Sequence, residues 1–152
     1  MEYLLRQQKP DGSWYGRWGV NYVYGTFLAL RGLRAARAGA REAVEKAVLW
    51  LRSVQNHDGG WGESCAGYDR HTFVGAGSSA SQTAWALLGF EAAGDAASPA
   101  ARKGLDFLLD TQRPDGTWHE TLTTGTGFPN VFYLTYTMYR QYFPLLALAR
   151  FM

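Results

Sequence analysis

The chain has 152 residues, which is enough to bury a core as one domain. Aromatic residues make up 15% of the chain and hydrophobic residues 47%, whereas the formal net charge is only +2. Because the basic residues are scattered, nothing favours nucleic acid as a partner. The single cysteine, Cys65, excludes an intramolecular disulfide. We expect no signal peptide, and the long uncharged stretches contain Gly, Ser and Thr, so no transmembrane helix is predicted.

The predicted helices alternate between two kinds along the chain. Residues 1–8 predict the last turns of a helix, and residues 21–38 a helix that is apolar on nearly every side in its first half. Residues 40–55 have one polar face, and after a Gly-rich loop residues 78–93 are again almost wholly apolar. Residues 98–112 are one-sided, with Ser98 as N-cap and Pro99 at the first helical position. Residues 131–151 predict a third apolar helix, kinked at Pro144.

One short pattern occurs three times: Gln, three residues, Gly, one residue, Trp. Its copies begin at Gln8, Gln55 and Gln112 and end at Trp14, Trp61 and Trp118. They are separated by 47 and 57 residues, a spacing typical of helix-pair repeats. Each copy predicts a helix ending at Gln, an Asp-Gly turn, and a Trp that folds back onto neighbouring backbone. Because the copies recur, we assign their Gln and Trp residues to the scaffold.

The alternation of amphipathic and apolar helices predicts an all-α fold with an inner and an outer layer. Each repeat turn leads from an outer helix towards an inner one. No strand pattern of useful length competes with this interpretation.

Several segments, in order along the chain, resemble the class II triterpene cyclases and above all the squalene–hopene cyclases. The repeat is similar to that family's Gln-Trp motif, and the similarity extends to residues 18–26, 59–63, 81–87 and 125–140. The resemblance implies an α/α toroid. Residues 1–152 would be an incomplete C-terminal-like domain, a partial (α/α)6 barrel of about six helices in inner and outer layers.

The resemblance also implies a reaction, the cation-initiated polycyclisation of squalene to hopanoid triterpenes. An Asp-x-Asp-Asp acid starts it and aromatic faces stabilise the carbocation, with no metal or organic cofactor. The expected partners are squalene or a related polyprene and the N-terminal remainder of the cyclase. A monotopic, membrane-associated homodimer on the cytoplasmic side is implied as well.

The candidate substrate-binding residues lie in two segments. Phe132, Tyr136 and Tyr139 have the spacing of one helical stripe, with Phe128 just ahead of it. Spacing alone favours core packing, whereas the resemblance assigns these residues to the cavity. The resemblance implies that Gly127, Leu134 and Trp18 bind substrate as well. It also implies that Tyr24 is a catalytic residue, which supports the acid.

None of the seven Asp residues lies in an Asp-x-Asp-Asp arrangement, so we expect the chain alone to be inactive. Cys65, Asp69 and His71 could suggest zinc, but they are crowded into one Gly-rich loop, and we assign no metal. Two alternatives to the leading function stay open. One is a non-catalytic module that binds an isoprenoid or assembles with a partner. The other is a class II cyclase acting on a shorter or partly cyclised polyprene.

Overall fold

The computed structural model describes residues 1–36 and 39–152. The end of the predicted helix over residues 21–38 lies outside these described residues. The elements in chain order are α1 (Glu2–Gln7), α2 (Tyr22–Ala35), α3 (Arg41–Ser53), α4 (Ala66–Arg70), α5 (Ala80–Ala93), α6 (Pro99–Thr111), β1 (Gly125–Phe128), β2 (Phe132–Leu134) and α7 (Tyr139–Phe151). The architecture is the predicted partial α/α toroid, with one hairpin added.

Helix α5 lies at the centre of the core. Twelve of its 14 residues are buried, as expected of a helix that is apolar all round. It packs against α2 and α7 on the inner side and against α3 and α6 on the outer side. The outer helices bury only one stripe each, for example Ala47 and Leu51 in α3. The predicted alternation is therefore confirmed for α2, α3, α5 and α6, whereas α7, the third helix expected to be buried, buries only Pro144 and Ala147.

The starts of α5 and α6 follow ordinary capping chemistry. The Ser98 hydroxyl accepts a hydrogen bond from the backbone N–H of Ala101, and Pro99 occupies the first turn of α6, as predicted. Ser79 caps α5 in the same way through the N–H of Gln82. Both caps satisfy backbone donors that the first turn of a helix leaves without a partner.

The prediction of a helix over residues 131–151 is wrong in its first part. Strands β1 and β2 form an antiparallel hairpin, with Gly125 opposite Leu134 and Phe128 opposite Phe132. Asn130 adopts a left-handed conformation (φ 65°) in the turn between them. Helix α7 begins only at Tyr139 and runs through Pro144, so Phe132, Tyr136 and Tyr139 do not form a stripe on one helix.

The three repeat turns share one set of hydrogen bonds. The indole N–H of each repeat Trp donates to a backbone carbonyl ten residues earlier. These acceptors are Leu4, Leu51 and Leu108, at 2.7, 2.8 and 2.9 Å from Trp14, Trp61 and Trp118. The backbone N–H of each Trp also donates to a side chain of an inner helix, namely Thr26, Thr83 and Gln141. The predicted fold-back of the Trp is confirmed, and each repeat connects its outer helix to an inner one.

Candidate active site

The aromatic residues gather at the N-terminal ends of the three inner helices. Trp85, in the second turn of α5, is fully buried and lies at the centre of the group. Tyr24 from the first turn of α2 meets its ring edge-on at 4.9 Å between centroids. Tyr139 and Phe143 from the start of α7 approach it at 5.9 and 5.5 Å. We refer to Tyr24, Trp85, Tyr139 and Phe143 as the aromatic cluster.

The tyrosines of the aromatic cluster stay neutral far above physiological pH. Burial raises the pKa of Tyr139 to about 12, and the neighbouring Tyr142 and Tyr24 add to the effect. Burial also raises the pKa of Tyr24. The indole N–H of Trp85 is buried and has no hydrogen-bond partner among residues 1–36 and 39–152. The cluster therefore offers ring faces and neutral hydroxyls, and no charge.

The hairpin presents a second aromatic group, built on glycines. A Cβ at Gly127 would lie 2.0 Å from the ring of Phe132, and one at Gly125 would lie 2.4 Å from the ring of Tyr136. Both rings therefore lie directly over the backbone of β1. Phe128 packs edge-on against Phe132 at 5.7 Å, and the Tyr136 ring lies 4.7 Å from that of Tyr139. Tyr136 thus joins the hairpin to the aromatic cluster.

The large side chains of the hairpin, and of Tyr136 just after it, are partly exposed. The exposed fractions are 54% for Phe128, 46% for Phe132, 36% for Leu134 and 40% for Tyr136. Large apolar side chains exposed together usually indicate a surface that contacts something else. Phe132 and Tyr136 are therefore not part of the core formed by the described residues.

Trp18 lies in the loop before α2, which is fixed to the hairpin. The N–H of Thr126 donates to the carbonyl of Trp18 at 3.0 Å. The buried Tyr68 hydroxyl accepts from the Thr126 hydroxyl at 2.8 Å and faces the carbonyl of Gly19 at 3.1 Å. The Trp18 ring is 53% exposed, and the Arg17 guanidinium lies 4.9 Å from its centre.

Trp18 and Tyr24 share a cleft of about 310 Å³ with Leu28 of α2 and with Tyr3 and Leu4 of α1. Its floor is mostly aromatic and aliphatic. The predicted site residues thus form two groups. Trp18 and Tyr24 lie in the cleft, and Tyr136 and Tyr139 lie beside the hairpin. Tyr24 connects the cleft to the aromatic cluster, because its ring also contacts Trp85.

Glu63 is a buried carboxylate that our sequence reasoning did not single out. It is 0% exposed, and its two oxygens accept the backbone N–H groups of Asn21, Tyr22 and Val23, each at 3.0 Å. Burial raises its pKa to about 7, while those three hydrogen bonds act in the opposite direction. The carboxylate therefore caps α2, the helix that carries Tyr24.

The aspartates of the repeat turns are structural. Asp11 and Asp115 accept hydrogen bonds from the backbone N–H groups of Ser13 and Thr117, two residues later in each turn. Asp58 does the same for Gly60. Within residues 1–36 and 39–152, no group of three His, Cys, Asp or Glu side chains is arranged to hold a metal ion. The Cys65 thiol faces the carbonyl of Thr123 instead.

The family model described as "Squalene-hopene cyclase C-terminal domain" matches residues 1–152, the whole chain. The chain belongs to this family. It is 53% identical to the squalene–hopene cyclase of Zymomonas mobilis, over 99% of its own length and 23% of that protein. It is 56% identical to the squalene–hopene cyclase of Alicyclobacillus acidocaldarius, over 99% and 24% of the two chains. A dammaradiene synthase of Dryopteris crassirhizoma is 47% identical.

A likeness in shape extends beyond the squalene–hopene cyclase family. The ent-copalyl diphosphate synthase of Streptomyces platensis superimposes with a TM-score of 0.71 over 98% of this chain and 26% of that one, at 24% identity. This likeness supports the helical toroid fold alone. The chain spans about a quarter of the length of the curated relatives it matches. In the described parts of the chain, no helix is both long and apolar enough to cross a membrane.

Proposed function

We propose that the chain forms one part of the cavity wall of a squalene–hopene-type cyclase. In such a cavity, aromatic faces stabilise carbocations during the polycyclisation of squalene, or a related polyprene, to hopanoid triterpenes. Residues 1–152 would be an incomplete C-terminal domain that works together with the N-terminal remainder of the enzyme. A membrane-associated, monotopic homodimer on the cytoplasmic side belongs to the same proposal and is supported by family membership.

The observation that carries this proposal is the series of ring contacts from Trp85 through Tyr139 to Tyr136, whose ring lies over the backbone of β1 in the hairpin. An aromatic face attracts a cation by ~0.5–2 kcal/mol, with the larger value where water is excluded. A ring face offers no readily available lone pair, so it can stabilise a carbocation without capturing it. Phe132 and Tyr136 are each partly exposed, which suits the lining of a cavity that other segments complete.

The remaining site residues have supporting roles in the proposal. Trp18 and Phe128 extend the aromatic lining, and Leu134 fills space beside it. Gly127 allows the Phe132 ring to lie flat against β1, because any side chain there would displace it. Tyr24 supports the acid that the remainder supplies, since its raised pKa keeps the hydroxyl protonated and able to donate a hydrogen bond. These steps require neither a metal nor an organic cofactor.

The test uses a chimera of the Zymomonas mobilis cyclase whose matching C-terminal segment is replaced by residues 1–152. Phe132→Ala and Tyr136→Ala should shift its products from squalene towards incompletely cyclised compounds, because an intermediate cation loses its stabilising ring. Gas chromatography of the extracted products measures the ratio. Leu49→Ala, on the exposed face of α3, is the control and should leave the ratio unchanged.

Unchanged product ratios in both variants, with only the yield of protein reduced, would mean that the rings are packing residues. The alternative of a non-catalytic isoprenoid-binding module makes a different prediction. In that case the chimera would bind an isoprenoid and form no cyclic product, although the parent enzyme assayed in parallel does.

A further inference from the structure

Tyr68 is a buried residue of α4 that has no role in the function proposed above. Its hydroxyl oxygen lies 3.0, 3.2 and 3.1 Å from the carbonyl oxygens of Gly16, Arg17 and Gly19. These residues belong to the loop that carries Trp18, so the loop curves around a single hydroxyl group. A tyrosine hydroxyl has one proton, which these carbonyl oxygens therefore share. Burial raises the pKa of Tyr68, so that proton is retained at physiological pH.

The same hydroxyl is bonded to the hairpin. The Thr126 hydroxyl donates to the Tyr68 oxygen at 2.8 Å. Thr126 lies in β1 between Gly125 and Gly127, where two aromatic rings lie over the backbone. The Tyr68 ring also stacks on Tyr133 of β2, with the ring centres 5.6 Å apart. Tyr68 thus contacts the loop before α2, β1 and β2 at once.

Loss of the Tyr68 hydroxyl would leave the loop without a donor at its centre. Two backbone bonds join the end of the loop to β1, from the N–H of Thr126 to Trp18 and from the N–H of Val20 to Thr124, each at 3.0 Å. These bonds do not involve the carbonyls of residues 16, 17 and 19, which converge on Tyr68. Without its proton, the carbonyl oxygens would face one another with no donor between them. This arrangement costs free energy, which the loop relieves by moving.

We infer that Tyr68 is a positioning residue whose hydroxyl fixes the Trp18 ring relative to the aromatic rings that lie over β1. The consequence for catalysis rests on the function proposed above, in which these rings line one cavity. A displacement of ~1 Å at a reacting group can change a rate by about two orders of magnitude. A ring that moves away from a developing cation no longer stabilises it, so the cyclisation stops earlier. Tyr68 thereby controls how far cyclisation proceeds without touching the substrate.

The first experiment measures whether Tyr68 holds the loop in place. Tyr68→Phe removes the hydroxyl and keeps the ring that stacks on β2. Trypsin cuts after Arg17 when the loop opens, so loss of the hydroxyl should raise the rate of that cut about tenfold. The rate of cutting after Arg102, on the exposed face of α6, is the internal reference and should not change. A general loss of stability would raise both rates together.

The matched control is Tyr22→Phe. Tyr22 is as deeply buried as Tyr68, at 1% against 2% exposed, and both rings meet Tyr15 edge-on. The Tyr22 hydroxyl has no hydrogen-bond partner among residues 1–36 and 39–152, so its removal breaks no bond. Tyr22→Phe should therefore leave the rate of the cut after Arg17 unchanged.

A second pair of variants changes the same contact from the side of β1. Thr126→Val removes the hydroxyl that donates to Tyr68, whereas Thr126→Ser keeps a hydroxyl there. Thr126→Val should raise the rate of the cut after Arg17, as Tyr68→Phe does, and Thr126→Ser should not. This pair decides the question if Tyr68→Phe does not fold.

The second experiment measures products in the Zymomonas mobilis chimera, below the melting temperature of every variant. The share of incompletely cyclised products should rise severalfold in Tyr68→Phe and in Thr126→Val. In Tyr22→Phe it should stay at the value of the unsubstituted chimera. A residue that only stabilises the fold would lower the yield of protein and leave this share unchanged.

Two results would contradict the inference. One is a rate of cutting after Arg17 that is the same in Tyr68→Phe, Thr126→Val and Tyr22→Phe. The other is faster cutting with unchanged product ratios, because the loop would then move without consequence for the reaction. An unsubstituted chimera that forms no cyclic product contradicts the proposed function instead, and the cut after Arg17 then decides whether Tyr68 holds the loop.

Discussion

Two glutamates have the same position in the repeat and the same structural task. Glu63 and Glu120 each lie two residues after a repeat Trp, and each caps an inner helix of the preceding unit. Glu120 accepts the backbone N–H and the hydroxyl of Ser81 at 3.0 and 2.8 Å, at the start of α5. The sequence contains a signal for this role, because two of the three repeat copies have a Glu two residues after the Trp. The first copy has Gly16 at that position, so the pattern is incomplete.

The raised pKa of Glu63 predicts a pH-dependent stability. The pKa is about 7 in the folded chain, against an ordinary value of 4.5, so folding favours the protonated form. The contribution of this group is complete below about pH 4.5 and is lost as the pH rises through 7. The loss reaches about 3 kcal/mol at 1.4 kcal/mol per pKa unit. Urea unfolding of the wild type and of Glu63→Gln from pH 4 to 8 measures it.

The comparison isolates residue 63, since all other titrating groups are shared by both proteins. The wild-type free energy of unfolding should fall relative to that of Glu63→Gln between pH 4.5 and 7. Parallel profiles across this window would mean that the three backbone N–H groups hold the carboxylate ionised, and the predicted dependence would then be refuted.

The hairpin over residues 125–134 is the part of the fold that the sequence pattern predicts wrongly. Phe132, Tyr136 and Tyr139 fit a helical period by coincidence, while the residues around them favour strands. Phe132-Tyr133-Leu134 is aromatic and aliphatic, and Pro129-Asn130 supplies a turn with a left-handed residue. In a strand, alternation places Phe132 and Leu134 on one face and Tyr133 on the other, where it stacks on Tyr68. A period of two explained these residues better than a period of 3.6.

The other elements could be predicted because several independent signals agreed. For α6, the serine N-cap, the following proline and the apolar stripe all indicated the same start and the same buried face. For α5, uniform apolarity indicated burial on all sides. The candidate site could not be derived from such patterns, since the aromatic cluster joins residues of three helices that are far apart in sequence. Trp85, its centre, was noticed only as part of a family segment.

The repeat tryptophans are predicted to act on stability. Trp118 is 2% exposed, and its indole N–H is bonded to Leu108, so Trp118→Ala should cost ~3–5 kcal/mol of unfolding free energy. The matched control is Trp18→Ala, because that ring is 53% exposed and its loss should cost less than about 1 kcal/mol. Urea unfolding at constant pH measures both. Equal losses of unfolding free energy in the two variants would show that burial of the Trp in the repeat turn does not determine the loss.

For the whole molecule, the exposed apolar surface lies at the edges of the helix array. Helix α5 presents no apolar face to water, because α2 and α7 cover one side of it and α3 and α6 the other. The exposure falls on α2 and α7 instead, with Leu28 of α2 at 44% and Tyr142 and Leu145 of α7 at 41% and 53%. Neighbouring helices therefore cover the apolar side chains in the middle of the array, whereas those at its two edges are partly exposed.

The chain on its own should not cyclise squalene. Protonation of an isolated alkene needs a strong and well-positioned acid, and the seven aspartates of this sequence form no Asp-x-Asp-Asp group. Incubation with squalene in detergent, followed by gas chromatography, should give no hopene above a blank without protein. Hopene formation would reveal an unrecognised acid.

The exposed apolar edges of the helix array also predict that the chain on its own associates with itself. Light scattering measures this, and a monodisperse monomer would contradict the prediction.

The position of Trp18 has an optical consequence. Five of the six tryptophans are 0–5% exposed, whereas Trp18 lies at the mouth of the cleft that it shares with Tyr24. A water-soluble quencher such as iodide should therefore remove one emission component at long wavelength and spare the rest. A hydrocarbon that enters the cleft would shield this indole and shift its fluorescence to the blue. The chain thus contains its own reporter of occupancy, and no label needs to be attached.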